Sequence, residues 1–558
     1  MGNHEGTSQD VYLTGNPQIT FFKVVYRRHT NFASESIEQT FTGTPSFGGR
    51  PTIQLTRNAD VVTKMYLRAT LGAGDAGSGN KWAWVSSVGH ALIDNYYLEI
   101  GGTQIDKQYG DWLNIWYELT HKVGQERGYA RMIGNVSDIT TLAQTQDAYV
   151  LNVPLQFFNC RHDGLGIPLI ALQYHEVRIT FEFTQLQYLT VNNYGTGSAL
   201  TWTTKPTLDA SLWVDYIYLD QEERKRFAQA THEYLLEQVQ FPSTESINSV
   251  NTRTRLSFNH PCKFLAWVVR LGRYTSGNRF LAYHATDASA MLLQATKRFV
   301  LGWASVVSGN MQLTGDFVAA KTGLSTAYAT YFSDAAAIVV QTDLFDVDNV
   351  TITGSLLPLE VASLNADLFE TNVSAARNTG TNDGAAVNDI VVYQYDNYGL
   401  QLDRSGNPVQ TGLLQLNGHD RFDQRDGDYF NYVQPYQCFS NTPADGVNVY
   451  SFALTPEEHQ PSGTCNFSRI DNATLALTLG KSGESSTAFK NSYLNTDSDL
   501  NIYAFNYNVL RVMSGMAGLA LMIISIEQKS IMLVAFVLYY QINHLESQPC
   551  VLHTRNHM

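Results

Sequence analysis

Cysteine is scarce: Cys160, Cys262, Cys438, Cys465 and Cys550 are the five in 558 residues. None forms a CxxC pair and the number is odd, which argues against a secreted disulfide framework and against a structural zinc site. Reduced, mostly buried thiols in a cytosolic setting fit that usage. Basic residues are also in deficit, the formal net charge being −14. An acidic surface repels phosphate, and the one short basic patch is Lys23, Arg27, Arg28 and His29, so no direct nucleic-acid binding is expected. The polar N-terminus has no apolar signal-peptide core. Gly6 stands where a myristoylation site wants Ser or Thr. Sequons at Asn135, Asn349, Asn372, Asn466 and Asn472 read as chance matches in an Asn/Ser/Thr-rich chain.

What is present favours sheets. Hydrophobic residues make up 44%, enough for a packed core, and 31 Tyr stand against 8 Trp. The length suits two large domains or three smaller ones. Period-two alternation dominates. Val61, Thr63, Met65, Leu67, Ala69 and Leu71 share one face, with Lys64, Tyr66, Arg68 and Thr70 on the other; Val177, Ile179, Phe181 and Phe183 alternate with Arg178, Thr180 and Glu182. Tyr96 to Asp106, turning at Gly101-Gly102, predicts a hairpin. Lys263 to Val268 predicts a strand covered on both faces. Helices are few: one capped by Asp111 with the stripe Trp112, Ile115, Trp116 and Leu119, and a charged one capped by Asp220, through Phe227, that suits an inter-domain connector.

A weak repeat runs through the chain. Glu38-Gln39, Phe41, Leu55 and a strand ending at Leu71 are matched by Glu237-Gln238, Phe241, Leu256 and a strand ending at Leu271, about 200 positions on. Val153 to Phe158 and its Gly/Pro-rich turn resemble Val449 to Leu454, about 295 positions on. The second copy therefore carries roughly 95 extra residues, placed between Gly272 and Tyr398 and expected to form surface loops.

The motif candidates favour structural readings. Gly72, Gly74 and Gly77 spell GxGxxG, but no helix is expected to follow, so a surface turn is the better reading. Gly480-Lys481-Ser482 lacks the leading glycine of a P-loop, since Leu475 stands there. Cys160, His162 and Asp163 are near neighbours in an extended segment, where side chains point apart, so loop packing outweighs a nucleophile and base. His175-Glu176 does not continue into a zinc-protease motif. Asp420, Asp423, Asp426 and Asp428 lack the Glu and flanking helices of a calcium loop, and Arg421 and Arg425 are available to pair with them. No catalytic, cofactor-binding or metal-binding residue is assigned, and no enzyme activity or cofactor is expected.

Asn16 to Phe32 (NPQITFFKVVYRRHTNF) closely resembles the N-terminal signature of major capsid proteins of nucleo-cytoplasmic large DNA viruses. So do Gly164 to Tyr174 (GLGIPLIALQY), Leu416 to Tyr429 (LNGHDRFDQRDGDY), Pro461 to Thr474 (PSGTCNFSRIDNAT) and the segment Asn501 to Gly518. The blocks run in family order from about residue 9 to 519, and look closest to the algal- and protist-virus branch. The resemblance implies an all-β chain of two tandem eight-stranded jelly-roll sandwiches, a double jelly roll, with short helices in loops. The implied organisation is an arm at 1–24, a first jelly roll at 25–219, a helical connector at 220–236, and a second jelly roll at 237–518 with its insertion at about 272–398. It implies a homotrimer that packs with neighbouring capsomers into an icosahedral shell. Minor capsid and penton proteins would be partners, as would an inner viral membrane reached by the arm, and synthesis and assembly would take place in the host cytoplasm. A minor or vertex capsid component of the same fold is the alternative within the class; a carbohydrate-binding β-sandwich is the alternative outside it.

The family pattern ends near Leu519, whereas this chain runs on to Met558. The apolar runs Leu521 to Ile526 and Ile531 to Tyr540 are each too short to span ~30 Å of hydrocarbon, and joining them places Glu527 and Lys529 mid-span. A tail from a shifted or read-through frame accounts for this better than a membrane anchor. Its Ile531 to Leu538 run would be an aggregation hazard.

Overall fold

The structure, a computed structural model, describes residues 15–519 except 78–79, 81, 141–142, 193–201, 273–280, 282, 285–335, 341–349, 355–369, 373–390, 394–405, 481–484 and 495–497. Most of the expected insertion at 272–398, and the tail beyond Leu519, therefore lie outside the described residues.

Two sandwiches follow one another. The first has a long sheet in the order Phe32–Thr40, Leu208–Leu219, Val61–Leu71, with Tyr149–Pro154 and Ile167–Pro168 sharing the far edge. Its short sheet runs Thr52–Gln54, Val177–Phe183, Ile93–Ile100, Thr103–Tyr109. The second repeats the plan. Its long sheet is His232–Gln240, Ser498–Met513, Pro261–Arg270, with Val447–Ser451 and Cys465–Asn466 on the far edge; its short sheet is Asn251–Arg255, Ala473–Leu479, Val409–Leu416, then His419–Asp420 and Arg425–Asp426. All these pairings are antiparallel. First strand beside last, with the second and seventh leading the other sheet, is the jelly-roll order.

The alternation expected from sequence is what the sandwiches use. Val61, Met65, Leu67, Ala69 and Leu71 enter the core while Lys64 and Arg68 stay in solvent. Pro261–Arg270 is buried at every interior position, so it is covered on both faces. The first core is aromatic, Tyr96 packing against Phe157 and Phe181 at 4.9 and 5.6 Å between centroids. In the second, Trp267 meets Phe430 edge-on at 5.1 Å. Both sandwiches close the same hairpin with two left-handed residues, Gly101-Gly102 (φ 60° and 80°) and Asn417-Gly418 (φ 51° and 80°), the turn whose twist matches the flanking strands.

Several expectations shift. Strand Tyr149–Pro154 ends before the expected Phe158, because Phe158–Arg161 forms a helical turn; its counterpart likewise ends at Ser451. The extra length of roughly 95 residues is a net value: the third-to-fourth-strand link, Leu71 to Ile93 in the first sandwich and Arg270 to Val409 in the second, grows by more than that, while the link before Val447–Ser451 is shorter. The connector helix is Gln221–Gln229, but the next strand begins at His232, inside the expected 220–236 connector. Asp220 caps it through its backbone carbonyl, which accepts from Arg224 N–H at 2.8 Å, and not through its side chain.

Candidate functional site at the junction of the two sandwiches

The helix after the first hairpin, Gly110–Thr120, is buried almost throughout, which an ordinary surface helix is not. Leu113 faces its own sandwich. The stripe Trp112, Ile115, Trp116 and Leu119 instead packs on the outer face of the second sandwich's long sheet, against Val239, Phe264, Val449, Tyr503 and Phe505. Trp112 stacks on Phe264 and Phe505 at 6.0 and 5.7 Å, and Trp116 lies 5.2 Å from Phe505. Contrary to the expectation from sequence, Asp111 does not cap the helix; Tyr109 occupies that position. The Asp111 carboxylate turns to the second sandwich, 3.6 Å from Arg270 and accepting from Asn501 Nδ2 at 3.3 Å.

Beside the aromatic wedge lies a buried ionic cluster. Lys263 Nζ, with no exposed side-chain surface, meets Glu237 Oε1 at 2.5 Å and donates to the Glu458 carbonyl at 2.7 Å. Arg161 of the first sandwich donates to the Glu237 carbonyl at 2.9 Å, and its guanidinium covers the rings of Phe505 and Trp116 at 4.7 and 5.3 Å. Asp106 accepts from Gln108 Nε2 at 2.7 Å and from Val239 N–H at 3.4 Å across the junction. Burial pushes its carboxyl up to about 7, against the opposing pull of Gln108 and Arg161. Glu118, buried on the wedge and accepting from Ala444 N–H at 3.3 Å, is pushed up by burial to about 8. His90, fully buried with Nε2 2.8 Å from Tyr129 Oη, is driven down by burial to about 4. Of these groups, Arg161, Asp106 and Glu118 bridge to the second sandwich, while His90 stays within the first. A cleft of about 780 Å³ opens nearby between the sandwiches, bordered by Arg50, Lys107, Glu182, Arg270 and Tyr503.

The sequence candidates are dispersed. Cys160 points its thiol toward the Thr63 carbonyl at 3.8 Å, and burial pushes the thiol up to about 12. His162 Nδ1 accepts from Gly164 N–H at 2.9 Å and Asp163 lies 3.3 Å from Lys64, so the three neighbours serve separate contacts. Gly74–Asp75 is a short strand and Gly77 a left-handed turn residue; the next described element is the strand Trp82–Trp84 and not a helix. Lys481 and Ser482 lie outside the described residues. Among the aspartates, Asp420 accepts from Gln415 Nε2 at 2.7 Å. Arg425 covers the Tyr429 ring at 5.2 Å, and among the described residues no ion pair joins it or Arg421 to the four aspartates, correcting that expectation. Among the described residues no three His, Cys, Asp or Glu side chains converge on a metal position. The basic patch lies on an exposed arm with Phe21, Phe22, Val24, Val25 and Tyr26. Sequence reasoning identified the Trp112 stripe as a helix face but not its partner sheet; the signal was the doubly buried pattern of residues 263–268.

The family of large eukaryotic DNA virus major capsid proteins matches residues 223–518, and the major capsid protein N-terminus matches residues 20–220. The chain belongs to this family. It is a structural subunit of a viral capsid. The major capsid protein of Phaeocystis pouchetii virus is 41% identical over alignments covering 92% of this chain and 97% of that protein. That of Paramecium bursaria Chlorella virus 1 is 38% identical, covering 92% and 97%. The quasi-atomic model of the PBCV-1 virus capsid superposes with a TM-score of 0.62 at 32% identity, over 90% of this chain and 100% of that one. The Faustovirus major capsid protein shares the fold, with a TM-score of 0.58 at 12% identity. The sequence resemblance and the double jelly roll are thus both met in the capsid proteins of algal and protist viruses.

Proposed function

We propose that the chain is the repeating subunit of an icosahedral shell, assembling first as a homotrimeric, pseudo-hexagonal capsomer. The observation that carries this is the wedge: two sandwiches of one strand order are fixed side by side by the Trp112 stripe, giving each chain two similar walls. Three such chains supply six, and a three-fold object with six similar walls tiles a hexagonal lattice by heterologous contacts. Within the chain we assign residues 1–24 to an arm, 25–219 to the first jelly roll, 220–236 to a connecting segment whose last residues already belong to a strand, and 237–518 to the second jelly roll, with an outward insertion at about 272–398. We assign the chain a structural role and no enzymatic one, by its likeness to viral capsid proteins.

The arm supports contact with something apolar and acidic. Phe22 is 98% exposed and Val24 92%, in a segment that also carries Lys23, Arg27 and Arg28. Minor capsid proteins, penton proteins or anionic headgroups of an inner membrane would meet it, in capsids built in the host cytoplasm. Electron-microscopic class averages of the purified chain test the capsomer. Six-lobed particles with three-fold symmetry are expected, and two-lobed particles overturn it.

A further inference from the structure

The wedge helix has a twin. Gly110-Asp111-Trp112-Leu113-Asn114-Ile115-Trp116 follows the first hairpin, and Gly427-Asp428-Tyr429-Phe430-Asn431-Tyr432-Val433 follows the second, about 317 positions later. The inward positions agree: Leu113 and Phe430 are buried in the cores of their own sandwiches, and Asn114 and Asn431 are both fully buried. The outward stripes differ in what covers them. Trp112, Ile115, Trp116 and Leu119 are buried under the second sandwich's long sheet. At the corresponding sequence positions, where a π-helical turn Tyr429–Val433 passes into the α-helix Gln434–Cys438, stand Tyr429, Tyr432, Val433 and Tyr436, of which Val433 is 41% and Tyr436 83% exposed.

The receiving face has a twin too. On the second long sheet, Ala266 and Tyr503 are opposite each other beneath the wedge; on the first long sheet the equivalent pair is Tyr66 and Trp213. Those two rings stack at 6.2 Å and 10°, half-buried, with Arg68 exposed beside them. Among the described residues, Trp213 Nε1–H finds no acceptor.

We infer that the Tyr429–Tyr436 stripe of one copy docks on the Tyr66–Trp213 face of a second copy of this chain, repeating between chains the contact that Trp112 makes within one. This rests on the capsomer reading and goes further by naming the seam. The residue types fit the two settings. The intrachain stripe is Trp, Ile and Leu on Phe, Val and Tyr503, all of it buried, with Arg161 over the Trp116 ring. The twin is tyrosine-rich and meets Tyr, Trp and Arg, side chains that tolerate water before assembly and gain ring stacking, hydrogen bonds and cation–π contact after it. The contact is head-to-tail, so it repeats until a ring closes.

The test uses the full chain carrying Val433→Asp and Tyr436→Asp, with mass read by light scattering. Wild type is expected as three chains and the variant as single chains, dissociating at least tenfold more readily, with the circular dichroism spectrum unchanged because both positions are exposed. A second arm pairs Val433→Cys with Asp215→Cys, which lies two residues along the strand from Trp213 as Phe505 lies from Tyr503. Oxidation is expected to give a covalent ladder ending at three chains, absent from either single variant, and this arm decides should the aspartates disturb folding. A variant that remains trimeric, with no ladder, overturns the seam and leaves the capsomer standing. A wild type of single chains overturns both. Trimers that dissociate only when a different protein occupies the stripe also overturn it.

Discussion

Trp112 of the first sandwich and Phe505 of the second stack across the junction with ring centroids 5.7 Å apart and planes at 23°. One helix of one jelly roll thereby becomes part of the other's packing, and the chain behaves as a paired block. Inter-domain contacts within a chain are commonly smaller and more polar, and permit relative motion.

Trp112→Ala should therefore cost about 3–5 kcal/mol, the range for truncating a buried large aromatic. Urea unfolding followed by tryptophan fluorescence is the check. Tyr436→Ala, at an exposed position of the twin helix, should change single-chain stability by no more than about 0.5 kcal/mol. Equal losses at the two sites would deny the wedge its special place.

The pair of Lys263 and Glu237 should behave as a buried ion pair. Lys263→Met leaves the Glu237 carboxylate buried with less compensation and should destabilise by roughly 3–5 kcal/mol. Adding Glu237→Leu should recover much of that loss. A double variant as weak as the single one would mean that the lysine matters through its other contacts, above all the Glu458 carbonyl.

Stability should decline from mildly acid to mildly alkaline pH. Asp106 and Glu118 keep their protons in the folded chain to about 7 and about 8, whereas the unfolded carboxyls lose them near 4. Their contribution is fully present below the unfolded values and is lost as pH rises through the folded ones. His90 acts in the opposite sense: its folded value near 4 lies below 6.5, so it withdraws stability as pH falls from about 6.5 to 4. Melting midpoints across pH 5 to 9 should fall with rising pH, and Asp106→Asn with Glu118→Gln should flatten the curve. A flat wild-type curve would contradict the assigned burial.

Cys160 and Cys262 should resist thiol reagents. Burial pushes the first thiol up to about 12 and the second well above its usual value, and the thiolate is the reactive species. Iodoacetamide at pH 8 should label both only after denaturant is added; rapid labelling of Cys160 in the native chain would revive its candidacy as a nucleophile.

Much of the fold was legible because period-two burial is written directly into residues such as Val61 to Leu71 and Val177 to Phe183. The hairpin was legible from Gly101-Gly102, since few other residues accept two successive left-handed conformations. The repeat was visible at its ends, at offsets of about 200 and about 295, but its middle was hidden: the growth of one loop and the shortening of another moved the Trp112 and Tyr429 helices out of the expected register. The junction was least legible. A strand buried on both faces says that something covers it, but only tertiary structure tells whether the cover is Trp112 of the same chain or a side chain from elsewhere. Asp111 illustrates the same limit. Its type and position suited a helix cap, and a long-range partner, Arg270, took it instead.

The most direct test of the central claim is the native mass of the chain ended at Leu519, compared with the full-length chain of 62.3 kDa. A heat-resistant particle of three chains is expected for the shortened protein, formed without residues 520–558, while the full-length protein is the more prone to aggregate. A folded, heat-resistant single chain at every concentration would contradict the capsomer, leaving two joined jelly rolls whose walls meet no copy of themselves.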